Sequence, residues 1–125
     1  MPDTRTRRRT GQRFHSGLAA EEIAERAYLD LGGTVLARRW RCEAGEIDLV
    51  IALEDCIAFV EVKLCRSPGP DSPVRPRQWA RIEAAAGLWL AGAASAPRAC
   101  RFDAALVGPC GALTVIENAH MPGLT

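Results

Sequence analysis

The chain has 125 residues, 48% of them hydrophobic and 25% charged, a composition that fits one soluble globular domain with one core. No apolar stretch approaches the length needed to span a bilayer, and no charged-then-apolar leader opens the sequence, so a cytoplasmic protein without a membrane partner is expected. The net charge of +1 decides little, whereas its distribution in local arginine clusters is compatible with phosphate binding.

Residues 1–15 lack apolar periodicity and carry Arg5, Arg7, Arg8, Arg9 and Arg13, so they read as a flexible basic arm. Ser16 is placed to cap a helix from about Leu18 to Leu31, with Ala20, Ile23, Ala24, Ala27 and Leu31 at helical spacing. Gly32-Gly33 ends it. Glu21, Glu22 and Glu25 suit its first turns through the helix dipole. Thr34 to Trp40 reads as a strand and Arg41 to Gly45 as a turn, with a second arginine cluster in Arg38, Arg39 and Arg41. Glu46 to Leu53 and Cys56 to Leu64 form a hairpin about Glu54-Asp55. Ile47, Leu49 and Ile51 should share one face with Ala58, Val60 and Val62. The opposite face carries Val50, Ala52, Ile57 and Phe59, so the sheet needs cover on both sides.

Arg66 to Pro76 contains four prolines and a glycine and reads as a loop bordering the end of the hairpin. Pro76 suits the first turn of a second helix reaching about Ala91, with Trp79, Ile82, Ala86 and Trp89 inward. Arg75, Arg77 and Arg81 form the third arginine cluster. Gly92 to Pro97 is a loop, and Arg101 to Val107 and Leu113 to Glu117 are strands. One domain over 16–120 with a tail at 121–125 is expected, in the order α-β-β-β-α-β-β. Five cysteines without a Cys-x-x-Cys pair argue against zinc, and Cys56 and Cys100 read as buried thiols. His15 and His120, near the ends, read as exposed or capping residues.

The hairpin carries the chemistry. Asp48 of Glu46-Ile47-Asp48 lies thirteen residues before Glu61 of Glu61-Val62-Lys63, so that strands folded about Glu54-Asp55 pair residues whose numbers sum to 109. Asp48 then faces Glu61 and Glu46 faces Lys63, all on one side. Opposed carboxylates repel and need a metal, a shared proton or a cation. Asp48 and Glu61, with the backbone carbonyl of Val62, suit Mg²⁺ or Mn²⁺, which prefer oxygen ligands. Lys63 would orient a water or stabilise transition-state charge, and Glu21 is a further candidate ligand from the first helix. The competing reading is a salt-bridged cluster of Glu46 with Lys63 and Asp48 with an arginine.

The chain resembles the YraN family of small bacterial proteins, grouped with the restriction-endonuclease-like PD-(D/E)xK fold. The matching residues are Gly17 and Glu21-x-x-Ala24, then Leu29, Leu36-Ala37-Arg38, Gly45-Glu46-Ile47-Asp48-Leu49-Val50 and Phe59-Val60-Glu61-Val62-Lys63. Val74, Pro76, Arg77, Arg81-Ile82 and Arg101-Phe102-Asp103 extend the match. The resemblance implies an α/β fold with a mixed sheet flanked by helices. It implies metal binding at Asp48 and Glu61, a catalytic Lys63, and a role for Glu21 like the extra acidic residue of archaeal Holliday-junction resolvases. The expected function is a Mg²⁺-dependent nuclease acting on branched or structured DNA. The alternatives are a nucleic-acid-binding module without turnover and a scaffold with a salt-bridge network. Candidate nucleic-acid contacts are Arg38, Arg39, Arg41, Arg66, Arg77, Gln78 and Arg81. Three departures from the family pattern are Cys65 and Gln78, where members commonly carry basic residues, and Glu54-Asp55 in place of an Asp-Gly turn. An exposed sheet edge would support a homodimer.

Overall fold

The computed structural model describes residues 16–66, 74–93 and 99–122. The expected arm at 1–15, most of the two long loops and the last three residues of the tail lie outside the described residues.

Helix α1 spans Ser16–Asp30. Ala20, Ala24 and Tyr28, one turn apart, are its buried positions, as a helix packed on a sheet requires. It ends on Gly32 at φ 89, where the Gly32 N–H donates to the Leu29 carbonyl and the Gly33 N–H to the Tyr28 carbonyl, each at 2.9 Å. These are the two contacts of a Schellman turn. The expected stripe continues to Leu31, but the turn intervenes. Leu31 is 71% exposed, and Tyr28 holds the inward position instead.

The strands are β1 (Thr34–Cys42), β2 (Gly45–Ala52), β3 (Cys56–Leu64), β4 (Ala99–Val107) and β5 (Leu113–His120), with helix α2 (Pro76–Gly92) between β3 and β4. They form one sheet in the order β1-β2-β3-β4-β5. The first three strands pair antiparallel, β3 and β4 pair parallel, and β5 returns antiparallel. Parallel pairing requires a crossover, which α2 supplies. The result is an α/β fold with a mixed sheet flanked by two helices, in the expected element order and consistent with a restriction-endonuclease-like architecture.

Both faces are covered. Against α2 lie Val50, Phe59, Phe102 and Leu106 with Trp79 and Ile82. Phe59 stacks on Phe102 at 5.5 Å and meets the edge of Trp89 at 5.9 Å. Against α1 lie Leu49, Ile51, Ala58 and Val60. Each large aliphatic or aromatic side chain buried this way contributes about 1.5–3 kcal/mol. His120 joins the α2 layer, stacking on Trp79 at 5.3 Å and reaching Glu83 at 3.0 Å.

Three expectations change. Ile47 packs in the α2 layer with Val50, not with Leu49 and Ile51. The neighbouring strand is irregular at the same level: Arg39, between the pairs Arg38–Leu49 and Trp40–Ile47, has φ 48, where the two-residue alternation of faces is broken. Cys56 and Cys100 are not buried; Cys56 is half-buried and Cys100 exposed, because both sit near the first residue of their strands, at the sheet end. Trp89 is partly buried, and Ala85 takes a place in the inward face of α2.

A buried junction ties α1 to the sheet. The fully buried Asp103 carboxylate accepts from the Tyr28 hydroxyl at 2.7 Å, the Arg101 guanidinium at 2.9 Å and the Asn118 N–H at 3.1 Å. A buried charge persists only when paired and hydrogen-bonded, and both conditions hold. Burial, then the adjacent Asp103 charge, hold the Tyr28 phenol far above its usual range.

Candidate functional site

The hairpin folds in the expected register. Leu49–Val60, Val50–Phe59, Ile51–Ala58 and Ala52–Ile57 are paired, and the Leu53 N–H donates to the Cys56 carbonyl at 2.8 Å across the Glu54-Asp55 turn. Pairing stops at Leu49–Val60. Beyond that point β2 stays with β1 as far as Gly45–Cys42, while β3 stays with β4 as far as Leu64–Val107. The two central strands therefore part, and Asp48 fills the fork. Its Oδ2 accepts the Val62 N–H at 2.8 Å, replacing the backbone carbonyl that a continuing ladder would supply.

Glu61 lies across the fork with 8% of its side chain exposed. Its Oε2 accepts from the Gln78 carboxamide on α2 and lies 3.9 Å from Lys63 Nζ. The Asp48 and Glu61 carboxyl groups are within hydrogen-bonding reach of each other. Burial, then the Asp48 charge, push Glu61 up to about 8, while Lys63 pulls in the opposite direction. Burial also raises Asp48, against the lowering effect of the Val62 N–H. Facing carboxyls in such a setting favour a shared proton or a cation between them.

Glu21 approaches from α1. Burial and then the charge of Asp48 raise its pKa, and Arg39 opposes them through a contact of 3.2 Å from Nε to Oε1. Glu46 pairs with Arg41 at 3.1 Å rather than with Lys63, and no arginine among the described residues pairs with Asp48. The salt-bridge arrangement set out above is thus not the one formed. Among the described residues no three His, Cys, Asp or Glu side chains converge as a ready-made metal cage.

The candidate nucleic-acid contacts divide into two groups. Arg38, Arg39 and Arg41 are engaged by Glu25, Glu21 and Glu46. Arg66, Arg77 and Arg81 form no ion pair among the described residues, and Arg81 lies beside Gly45 at the start of β2. Gln78 differs from the expectation, since its carboxamide is committed to Glu61. The sequence signal for this was present: Gln78 precedes inward Trp79 and lies one turn before inward Ile82, so it flanks the buried face. A cavity of about 570 Å³ between α1 and the β4–β5 turn is lined by Ile23, Leu64, Arg66, Pro109 and Cys110, but by none of the acidic residues.

The model of a family described as Uncharacterised protein family UPF0102 matches residues 20–107, the span holding Glu21, the fork and Gln78. The chain belongs to UPF0102, the YraN family. A UPF0102 protein of Azorhizobium caulinodans is 44% identical over 94% of this chain and 92% of its own length. One from a Ruegeria species is 38% identical over 96% of this chain and 99% of its own, and one from Gloeobacter violaceus is 49% identical over 62% and 65%. The UPF0102 match thus includes both acidic runs and α2, and ends at Val107, before β5. No helix among the described residues of this UPF0102 chain is long and apolar enough to cross a membrane.

Proposed function

We propose that this protein is a Mg²⁺- or Mn²⁺-dependent nuclease acting on branched or structured DNA. The observation that carries the reading is the Asp48–Glu61 carboxyl pair in the fork between β2 and β3, with Glu61 buried and Asp48 half-buried. Two facing carboxyls fit a hard divalent cation. Mg²⁺ is commonly held by one or two carboxylates together with waters and substrate phosphate, so a two-carboxylate site without a third close ligand suits it. Asp48 and Glu61 would hold the ion. The Val62 carbonyl would join them, because the N–H and C=O of one residue leave a strand on the same side and the Val62 N–H points into the fork. Bound there, the ion would lower the pKa of a water and neutralise charge on the phosphate.

The remaining roles belong to the chain's own side chains. Gln78 fixes the Glu61 carboxyl by donating to Oε2. Lys63, 3.9 Å from that oxygen, is placed to orient the attacking water or to offset developing negative charge. Glu21 would receive a water on the α1 side. Arg66, Arg77 and Arg81, which form no ion pair among the described residues, would draw phosphate towards the fork.

Nucleic-acid binding without turnover is the second reading. It is supported by Arg66, Arg77 and Arg81, exposed arginines that would hold phosphate with or without a metal. Thermal melts with Mg²⁺ or Mn²⁺ test the metal site. Saturation at about 100 times Kd stabilises by about 2.7 kcal/mol, and Asp48→Ala and Glu61→Ala should each abolish that shift. An unchanged metal response in both variants would refute the site. Cleavage of branched, single-stranded and duplex DNA, compared with Lys63→Ala, separates enzyme from binder.

A further inference from the structure

The least comfortable backbone near the site belongs to Arg39, at φ 48. Non-glycine residues seldom occupy this left-handed region, asparagine and aspartate excepted. Strain of this kind clusters where a side chain is needed in a direction that regular structure does not provide. Regular alternation would send neighbouring side chains to opposite faces. Here Arg38 and Arg39 both turn towards α1, meeting Glu25 and Glu21, which stand one helical turn apart. The strain therefore brings a second guanidinium onto the face that carries Glu21.

The two ion pairs are not alike. Arg38 grips Glu25 with two hydrogen bonds of 2.8 Å, and Glu25 is held below the usual carboxylate range by that contact. Arg39 meets Glu21 at 3.2 Å through Nε, longer than either Arg38 contact, and its side chain is half exposed. A guanidinium so loosely held, beside the acidic fork and open to solvent, can exchange one oxyanion for another. A backbone phosphate can accept two parallel hydrogen bonds from the guanidinium, whereas Glu21 is met through Nε at 3.2 Å.

We propose that Arg39 is a phosphate-binding residue of this site, kept in place by Glu21 until a nucleic-acid strand enters and then transferred to a backbone phosphate. The proposal rests on the nuclease reading and adds to it the residue that meets the strand on the α1 side.

The test is fluorescence anisotropy of the full chain with labelled branched and duplex DNA, over a range of salt and in EDTA. Arg39→Asn keeps a residue that tolerates the left-handed region, and Arg39→Gly provides a second variant that removes the strain outright. Arg26→Ala, an exposed arginine on α1, controls for loss of one charge. Both Arg39 variants should weaken binding about tenfold, corresponding to about 1.4 kcal/mol, and reduce the salt slope by about one. Arg26→Ala should leave both quantities near wild type. Glu21→Gln should tighten binding in the wild-type background and do so less in Arg39→Asn, which a purely structural role for Arg39 would not produce. If the wild type binds and the Arg39 variants match it, or match Arg26→Ala, the assignment of Arg39 is overturned while the nuclease reading stands. If the wild type binds no DNA, both are overturned.

Discussion

Substitution Glu61→Gln tests the electrostatics of the fork without removing its shape. Glutamine occupies the same volume and keeps an oxygen for the Gln78 carboxamide. In the folded protein Glu61 is raised from its ordinary 4.5 to about 8, first by burial and then by Asp48. The folded state therefore holds a proton that the unfolded chain releases at lower pH. Stabilisation from this group is complete below about pH 4.5 and is lost as the pH rises to 8. At about 1.36 kcal/mol per unit of pH, the loss has an upper bound of about 5 kcal/mol, and sharing of the proton with Asp48 reduces it to roughly 2–4 kcal/mol. Urea denaturation in EDTA between pH 5 and 8.5 measures it. The wild type should lose stability across this range, whereas Glu61→Gln should lose much less and become the more stable protein at pH 8. Parallel pH profiles for the two proteins would refute the reasoning, since they would mean that Glu61 ionises in the fold as it does in water.

Tyr28→Phe should destabilise by about 1.5–3 kcal/mol, the range for a hydrogen bond to a charged group, and lower the midpoint of a thermal melt by roughly 5–15 °C; an unchanged melt would show that Arg101 and Asn118 alone satisfy Asp103. Gly33→Ala would bring a Cβ to 2.9 Å from both the Tyr28 carbonyl oxygen and Ile51 Cγ2. The backbone oxygen has little room to yield, so a loss of about 1–3 kcal/mol is expected in chemical denaturation.

The parts of this structure that were legible in the sequence are those fixed by local spacing. The helix-ending glycines, the proline opening α2 and the hairpin register each depend on a few neighbouring residues, and the register alone aligned Asp48 with Glu61. The parts that were not legible depend on distant partners. Tyr28 fits the apolar pattern of α1 poorly by type, and its place is settled by Asp103, 75 residues away. Gln78 could be placed at the flank of the buried face, but not its acceptor, Glu61, which another element supplies. The place of Ile47 in the α2 layer coincides with the left-handed backbone of Arg39 in the adjacent strand, and alternation along β2 did not foretell it. Which carboxylates gather could be read from the sequence; which cations and amides hold them could not.

The irregular strands at the two sides of the sheet also bear on self-association. An edge strand offers a row of free backbone groups to any other extended chain, and proteins avoid this with bulges, charges and twisted edges. In β1 the pairing shifts between Val35 and Ala37, Arg39 is left-handed, and Arg38, Arg39 and Arg41 crowd the strand. In β5 the pairing shifts opposite Asp103, and Asn118 has φ 54. Neither edge can present a long, flat row of donors and acceptors. Sheet extension between copies is therefore disfavoured at both ends. The same distortion that aims Arg39 at α1 also guards the protein against edge-to-edge aggregation.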